Sequence, residues 1–134
     1  KVLQFVATKW RCSIRKTPRL YVIDGVAMRD GAVSAWVESK YRRESYKTHK
    51  LSLHKWIRGI ELSEHTGLPF FFVLAWPENG KIVAHYIKGT RDVPVSYVLG
   101  GRADRGDPED IEPMVEIDMR QFKCLGELPE QEVE

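Results

Sequence analysis

The sequence predicts a small α/β domain, a mixed β-sheet with a crossover helix packed on it. Three observations carry that prediction. Arg29-Asp30-Gly31 is a turn signal between two apolar, β-branched runs, and residues 52–66 carry apolar residues at three-and-four spacing. The third is "LPFFFVLAW", residues 68–76, a continuous apolar and aromatic run bounded by prolines. At 134 residues the chain has room for one domain with a real core, expected over residues 1–126 with an acidic tail at 127–134.

Taken in order, Leu20–Met28 and Ala32–Lys40 read as a β-hairpin across that turn. Alternation puts Val33, Ala35 and Val37 on one face of the second strand and Ser34, Trp36, Glu38 and Lys40 on the other. Leu53, Trp56, Ile57 and Ile60 form the apolar stripe of the next element, a helix capped at Gly67 and stopped by Pro69. Lys50, His54 and Arg58 recur every four residues and predict a basic ridge at the margin of that stripe, for which an ordinary solvated face is the competing reading. Residues 68–76 suit a central strand covered on both faces, "PENGK" a turn, and "IVAHYIK" at 82–88 a returning strand. Residues 100–113, rich in Gly, Asp and Pro, predict an irregular loop, and 114–126 a late edge strand or short helix. A helix between the second hairpin strand and the aromatic strand makes those two strands parallel neighbours.

Composition narrows the function classes. The longest apolar run, Leu68 to Trp76, is far too short to span a bilayer, so no membrane partner is expected. No secretory signal is visible, although the chain begins at Lys1 rather than Met, which leaves room for residues upstream. Cys12 and Cys124 lack a metal or disulfide-rich spacing and read as a cytoplasmic thiol pair. Residues 1–58 hold 14 Lys and Arg against 4 Asp and Glu, whereas residues 59–134 hold 7 against 15. Such an asymmetry fits a basic face for a polyanion, or two halves mixed over one surface.

The charges inside the hairpin carry the chemistry. Asp24 interrupts an apolar run, Glu38 and Lys40 share a face, and antiparallel pairing brings Asp24 near Glu38. Two carboxylates at one end of a sheet suit a hard divalent cation through oxygen ligands, with Mg²⁺ keeping several waters. A neighbouring lysine would orient an attacking water or neutralise developing charge, which is the chemistry of phosphodiester hydrolysis.

"IDGVAMRDGAVSAWVESKYR" resembles the core of the PD-(D/E)xK nuclease superfamily, with Ile23-Asp24 in place of Pro-Asp and Glu38-Ser39-Lys40 as the Glu-x-Lys element. The likeness is to archaeal Holliday-junction resolvases and similar phage enzymes, and it follows the order of elements over residues 20–88. It implies a restriction-endonuclease-like fold, a Mg²⁺-dependent endonuclease (Mn²⁺ substituting) leaving 5′-phosphate and 3′-hydroxyl ends, branched DNA as substrate and a homodimer. It further implies Asp24 and Glu38 as metal-binding carboxylates, the Ser39 carbonyl as a further ligand and Lys40 beside the attacking water. Lys55 stands where that family's helix often has Gln, which implies contact with the active-site end or a phosphate. Many relatives bring a further acid from an N-terminal helix, yet residues 1–23 contain no Asp or Glu. Lys9, Arg11, Arg15, Lys16 and Arg19 instead suggest a phosphate-contacting arm or strand, joined as DNA contacts by Arg42, Arg43, Lys50, His54, Lys55 and Arg58.

Competing readings are a chance Glu-x-Lys forming a surface ion pair, and a zinc site from His49, His54, Glu61 and His65 at i,i+4 spacing, and His85. The histidines lack the His-Glu-x-x-His arrangement and read as surface or phosphate-contacting. Trp36 and Trp56 suit the core better than base stacking. Gly100, Gly101 and Gly106 lack phosphate-loop spacing. A non-catalytic nucleic-acid-binding module on the same fold is the alternative function, and a protein-interaction domain with a basic face is a third.

Overall fold

The hairpin forms because its turn residues accept left-handed backbone: Asp30 and Gly31 have φ of 52° and 76°, the mirror-image turn whose twist matches the flanking strands. Asn79 and Gly80, at 52° and 76°, close a second hairpin in the same way. The computed structural model describes residues 2–17, 23–101 and 111–129. Along the chain run α1 (Val2–Trp10), β1 (Ser13–Lys16), β2 (Gly25–Arg29), β3 (Ala32–Tyr41), β4 (Thr48–Ser52) and α2 (Leu53–Thr66). They are followed by β5 (Phe70–Glu78), β6 (Lys81–Lys88), β7 (Ser96–Gly101), β8 (Ile111–Asp118), a 3₁₀ turn at Met119–Gln121 and β9 (Lys123–Pro129).

Six strands form one mixed sheet in the order β1-β2-β3-β5-β6-β9, and β4-β8-β7 form a second, antiparallel one. Within the larger sheet only β3 and β5 run parallel, joined by the crossover through β4 and α2, as the sequence order requires. The fold is thus the mixed α/β arrangement expected, consistent with a restriction-endonuclease-like fold. β5 is central, and its period-two alternation feeds two cores. Phe70, Phe72, Leu74 and Trp76 pack with α2 and the smaller sheet, while Val73 and Ala75 face the side of α1.

α2 sits close on β5 because Gly59 lies against Phe70: a Cβ there would fall 2.3 Å from the ring. Gly67 ends the helix at φ 73°, its N–H donating to the Ser63 carbonyl at 2.9 Å. Trp36 and Trp56 are core residues as expected, the Trp36 indole N–H donating to Thr66 Oγ1 at 3.0 Å. The hairpin register carries one irregularity: Ala27 pairs with Ala35 but Met28 with Val33, so Ser34 is an extra residue, a β-bulge. Beyond it, Gly25 pairs with Val37, which brings the preceding residue, Asp24, to Glu38.

Several expectations are corrected. Residues 2–10 form a helix where an arm or strand was expected, and only 13–16 form the strand, at the sheet edge: the apolar Val2, Leu3, Val6 and Ala7 of the helix cover the open sheet face. Lys50 belongs to strand β4, so it does not continue a helical ridge with His54 and Arg58. Ile57, assigned to the apolar stripe, is 44% exposed. Strand β8 begins at Ile111, inside the span expected to be a loop, and pairs with β7; residues 102–110 of that loop lie outside the described residues, as do Arg19 and residues 130–134 of the tail. Residues 127–129, grouped with the tail by their charge, form the end of β9 against β6. Among the described residues, no helix is long and apolar enough to cross a membrane.

Candidate active site

The carboxylates of Asp24 and Glu38 meet where β3 runs out beside its parallel neighbour β5. That end of a parallel pair, where the chain crosses over, is the habitual ligand site of α/β sheets. The two residues interlock through the backbone. The Asp24 N–H donates to Glu38 Oε1 at 3.2 Å, and the Ser39 N–H donates to Asp24 Oδ2 at 3.1 Å, with Ser39 Oγ at 3.4 Å from the same oxygen. Thr17, just after β1, braces the position: its N–H donates to the Asp24 carbonyl at 3.1 Å and its hydroxyl to the Ile23 carbonyl.

Glu38 is 0% exposed. Burial raises its carboxyl pKa above the ordinary value and the neighbouring Asp24 charge adds to that, while the bond and charge of Lys55 work the other way. Lys55 reaches down from the first turn of α2 to place Nζ 2.9 Å from Glu38 Oε2. Lys40, two residues beyond Glu38 on β3, lies on the same strand face and is half-buried, and among the described residues no carboxylate partners its ammonium.

This donor set suits a divalent cation: hard carboxylate oxygens on a rigid strand pair, carrying more negative charge than one lysine balances. Asp24 and Glu38 would hold it. Among the described residues no group of three His, Cys, Asp or Glu side chains converges, so the pair stands without a third acid. Helix α1 occupies the N-terminal position but carries no Asp or Glu.

The candidate phosphate contacts are scattered. Arg11, Arg15, Lys16, Arg43 and Lys50 are exposed. Lys9 lies over the Phe5 ring, 5.6 Å from its centroid. Arg42 is turned inward, donating from Nη2 to the Lys50 carbonyl at 2.6 Å, which ties the end of β3 to β4. His54 and Arg58 line a groove with Ile57, Glu61, Glu112 and Pro113, and Arg58 pairs with Glu61 at 3.7 Å.

His49 corrects its reading as a surface or phosphate-contacting residue. It is 2% exposed and stacked on Trp76 at 5.6 Å and 15°, and His85 stacks on the same indole at 4.7 Å and 8°. Among the described residues neither ring nitrogen of His49 has a hydrogen-bond partner. The sequence carried no signal for this stack, because β4 itself was not read from the polar run Thr48-His49-Lys50.

A family model described as "phage putative PDDEXK endonuclease" matches residues 1–125. No curated protein matches the chain.

Proposed function

Because the chain belongs to that phage PDDEXK endonuclease family, a family of nucleases, we propose that it is a metal-dependent endonuclease hydrolysing DNA phosphodiester bonds at the Asp24–Glu38 centre. The observation that carries the reading is the interlocking of the two carboxylates beside Ser39 at the end of β3. Asp24, Glu38 and the Ser39 carbonyl would hold Mg²⁺, with Mn²⁺ able to replace it. Bound there, the cation supplies Lewis acidity toward a phosphoryl oxygen and a water that ionises near neutral pH.

The protein's own groups do the rest. The strand pair fixes the carboxylates without rearrangement, and Lys40 donates from the same strand face to the attacking water and to the phosphoryl oxygens as charge builds on them. Water oxygen attacks phosphorus in line, the bond to the 3′ oxygen breaks, and the proton lost by the water is matched by one gained on that oxygen. A 5′-phosphate and a 3′-hydroxyl result. Arg43 and Lys50, exposed near the end of β3, contact flanking phosphates.

The finer reading is a branched DNA substrate cut by a homodimer, since paired nicks across a junction need two sites. Support for a second copy comes from Tyr97 and Leu99, 71% and 75% exposed on the edge strand β7. The absence of any acid from α1 supports a second reading, a nucleic-acid-binding module without turnover.

Nicking of labelled linear, single-stranded and four-way-junction DNA, with Mg²⁺, Mn²⁺ or chelator, decides between them. Metal-dependent cleavage lost in Lys40→Ala supports the endonuclease. Salt-sensitive binding without cleavage in any metal overturns it.

A further inference from the structure

Lys55 has two features that its contact with Glu38 alone does not explain. It is the only cation paired with Glu38 among the described residues, and its side chain is 30% exposed, so it reaches a wholly buried acid from the solvent-facing side. A lysine is a compact charge on a flexible four-carbon stem, able to leave a partner without disturbing its own helix. Glu38, by contrast, is fixed by β3 and by the Asp24 N–H.

The geometry points to Lys55 as a built-in counter-cation that fills the charge position of the metal and must be displaced when the metal binds. The inference rests on the reading of Asp24 and Glu38 as ligands. Two carboxylates brought together in a buried site repel, and the pair is tolerable only if a positive charge lies against it. Lys55 supplies that charge in the metal-free protein. A divalent cation settling against the same carboxylates would bring two positive charges beside the ammonium, so both cannot keep their places at full strength. Metal affinity is therefore set below what the carboxylates alone would give. The released ammonium, still on the first turn of α2, is then available to a phosphate at the mouth of the site. Lys40 does not share this role, since no carboxylate among the described residues partners it.

The test is titration of Mn²⁺ into the metal-free protein by calorimetry, without DNA, for the unaltered chain and for Lys55→Met, Lys55→Arg and Glu38→Gln. Lys55→Met is expected to bind Mn²⁺ about tenfold more tightly, about 1.4 kcal/mol, with Lys55→Arg no tighter than the unaltered chain. Metal-free Lys55→Met should melt lower, and Mn²⁺ should raise its Tm by more than it raises that of the unaltered chain. A purely structural lysine would lower the first value without enlarging the second. If Glu38→Gln abolishes binding while Lys55→Met binds no more tightly, the displacement idea is overturned and the metal site stands. If Glu38→Gln binds Mn²⁺ unchanged, the site assignment itself is overturned. Should Lys55→Met fail to fold by circular dichroism, Lys55→Gln, which keeps a donor for Glu38 without the charge, is read by the same criteria.

Discussion

Acidification from pH 7 to pH 5 should destabilise the protein through His49, and the size of the effect follows from the stack that buries it. Burial in the aromatic cluster, then the nearby Arg42 guanidinium and His85, push the His49 pKa from its ordinary 6.5 to about 4. The unfolded chain therefore binds a proton that the folded chain refuses between those two values, so stability falls as pH falls through the window. At about 1.4 kcal/mol per pH unit the whole window is worth about 3 kcal/mol, of which about 2 kcal/mol is lost between pH 7 and pH 5. For a chain of 134 residues that is a fall of about 8 °C in Tm from this one ring. The comparison that isolates it is His49→Phe, which keeps the stack on Trp76 and the edge contacts with Tyr46 and Phe122 but cannot take a proton. His85, whose pKa is also lowered by burial, remains in both proteins and cancels. Thermal melts at pH 7 and pH 5 should show the variant gaining about 2 kcal/mol on the unaltered chain as pH drops. Parallel losses in the two proteins would refute the argument.

Lys40→Ala should cut the nicking rate by about 10² to 10⁴ while leaving calorimetric Mn²⁺ binding in place; a fall in binding of the same size would make Lys40 a structural support of the site. Gly59→Ala should destabilise the fold by about 2 kcal/mol in urea titration, because the added methyl meets the fully buried Phe70 and overpacking outweighs the helix-propensity gain. Leu99→Asp should shift sedimentation of the chain from dimer to monomer with the melting temperature little changed; an unaltered chain that already sediments as a monomer would remove the dimer.

The parts of the fold that were legible are those whose signals are local. Asp30-Gly31 dictates a hairpin, Gly67 and Pro69 stop a helix, and a nine-residue apolar run bounded by prolines demands a two-sided strand. The nearness of Asp24 to Glu38 followed from the hairpin, though not the bulge at Ser34 that puts them on one side of the sheet, and the parallel pairing of β3 with β5 followed from the helix between them. What escaped was decided by tertiary context. Thr48-His49-Lys50 has no strand pattern of its own and becomes β4 because β8 is there to pair with it. The α1 segment carries only Lys9, but the Arg11, Arg15 and Lys16 that follow it drew the reading away from an apolar face that finds a place only on the finished sheet. Ile57 follows the helical spacing, yet the stripe it belongs to is wider than the surface β5 and the small sheet offer it.

The single extra residue at Ser34 gives this hairpin a parity. Counting back from the Asp30-Gly31 turn without the bulge, every residue paired, Asp24 would stand opposite Val37, whose side chain looks toward α1, on the far side of the sheet from Glu38. With it, the two acids share a side. The pairing of the two acids is thus encoded as much by a count of residues as by their identity, and gain of one residue between positions 32 and 37, with the bulge unchanged, would separate them with every charged side chain still in the sequence. A search for relatives by their acids alone would accept such a chain; a search that counts the spacing from turn to Glu-x-Lys would reject it.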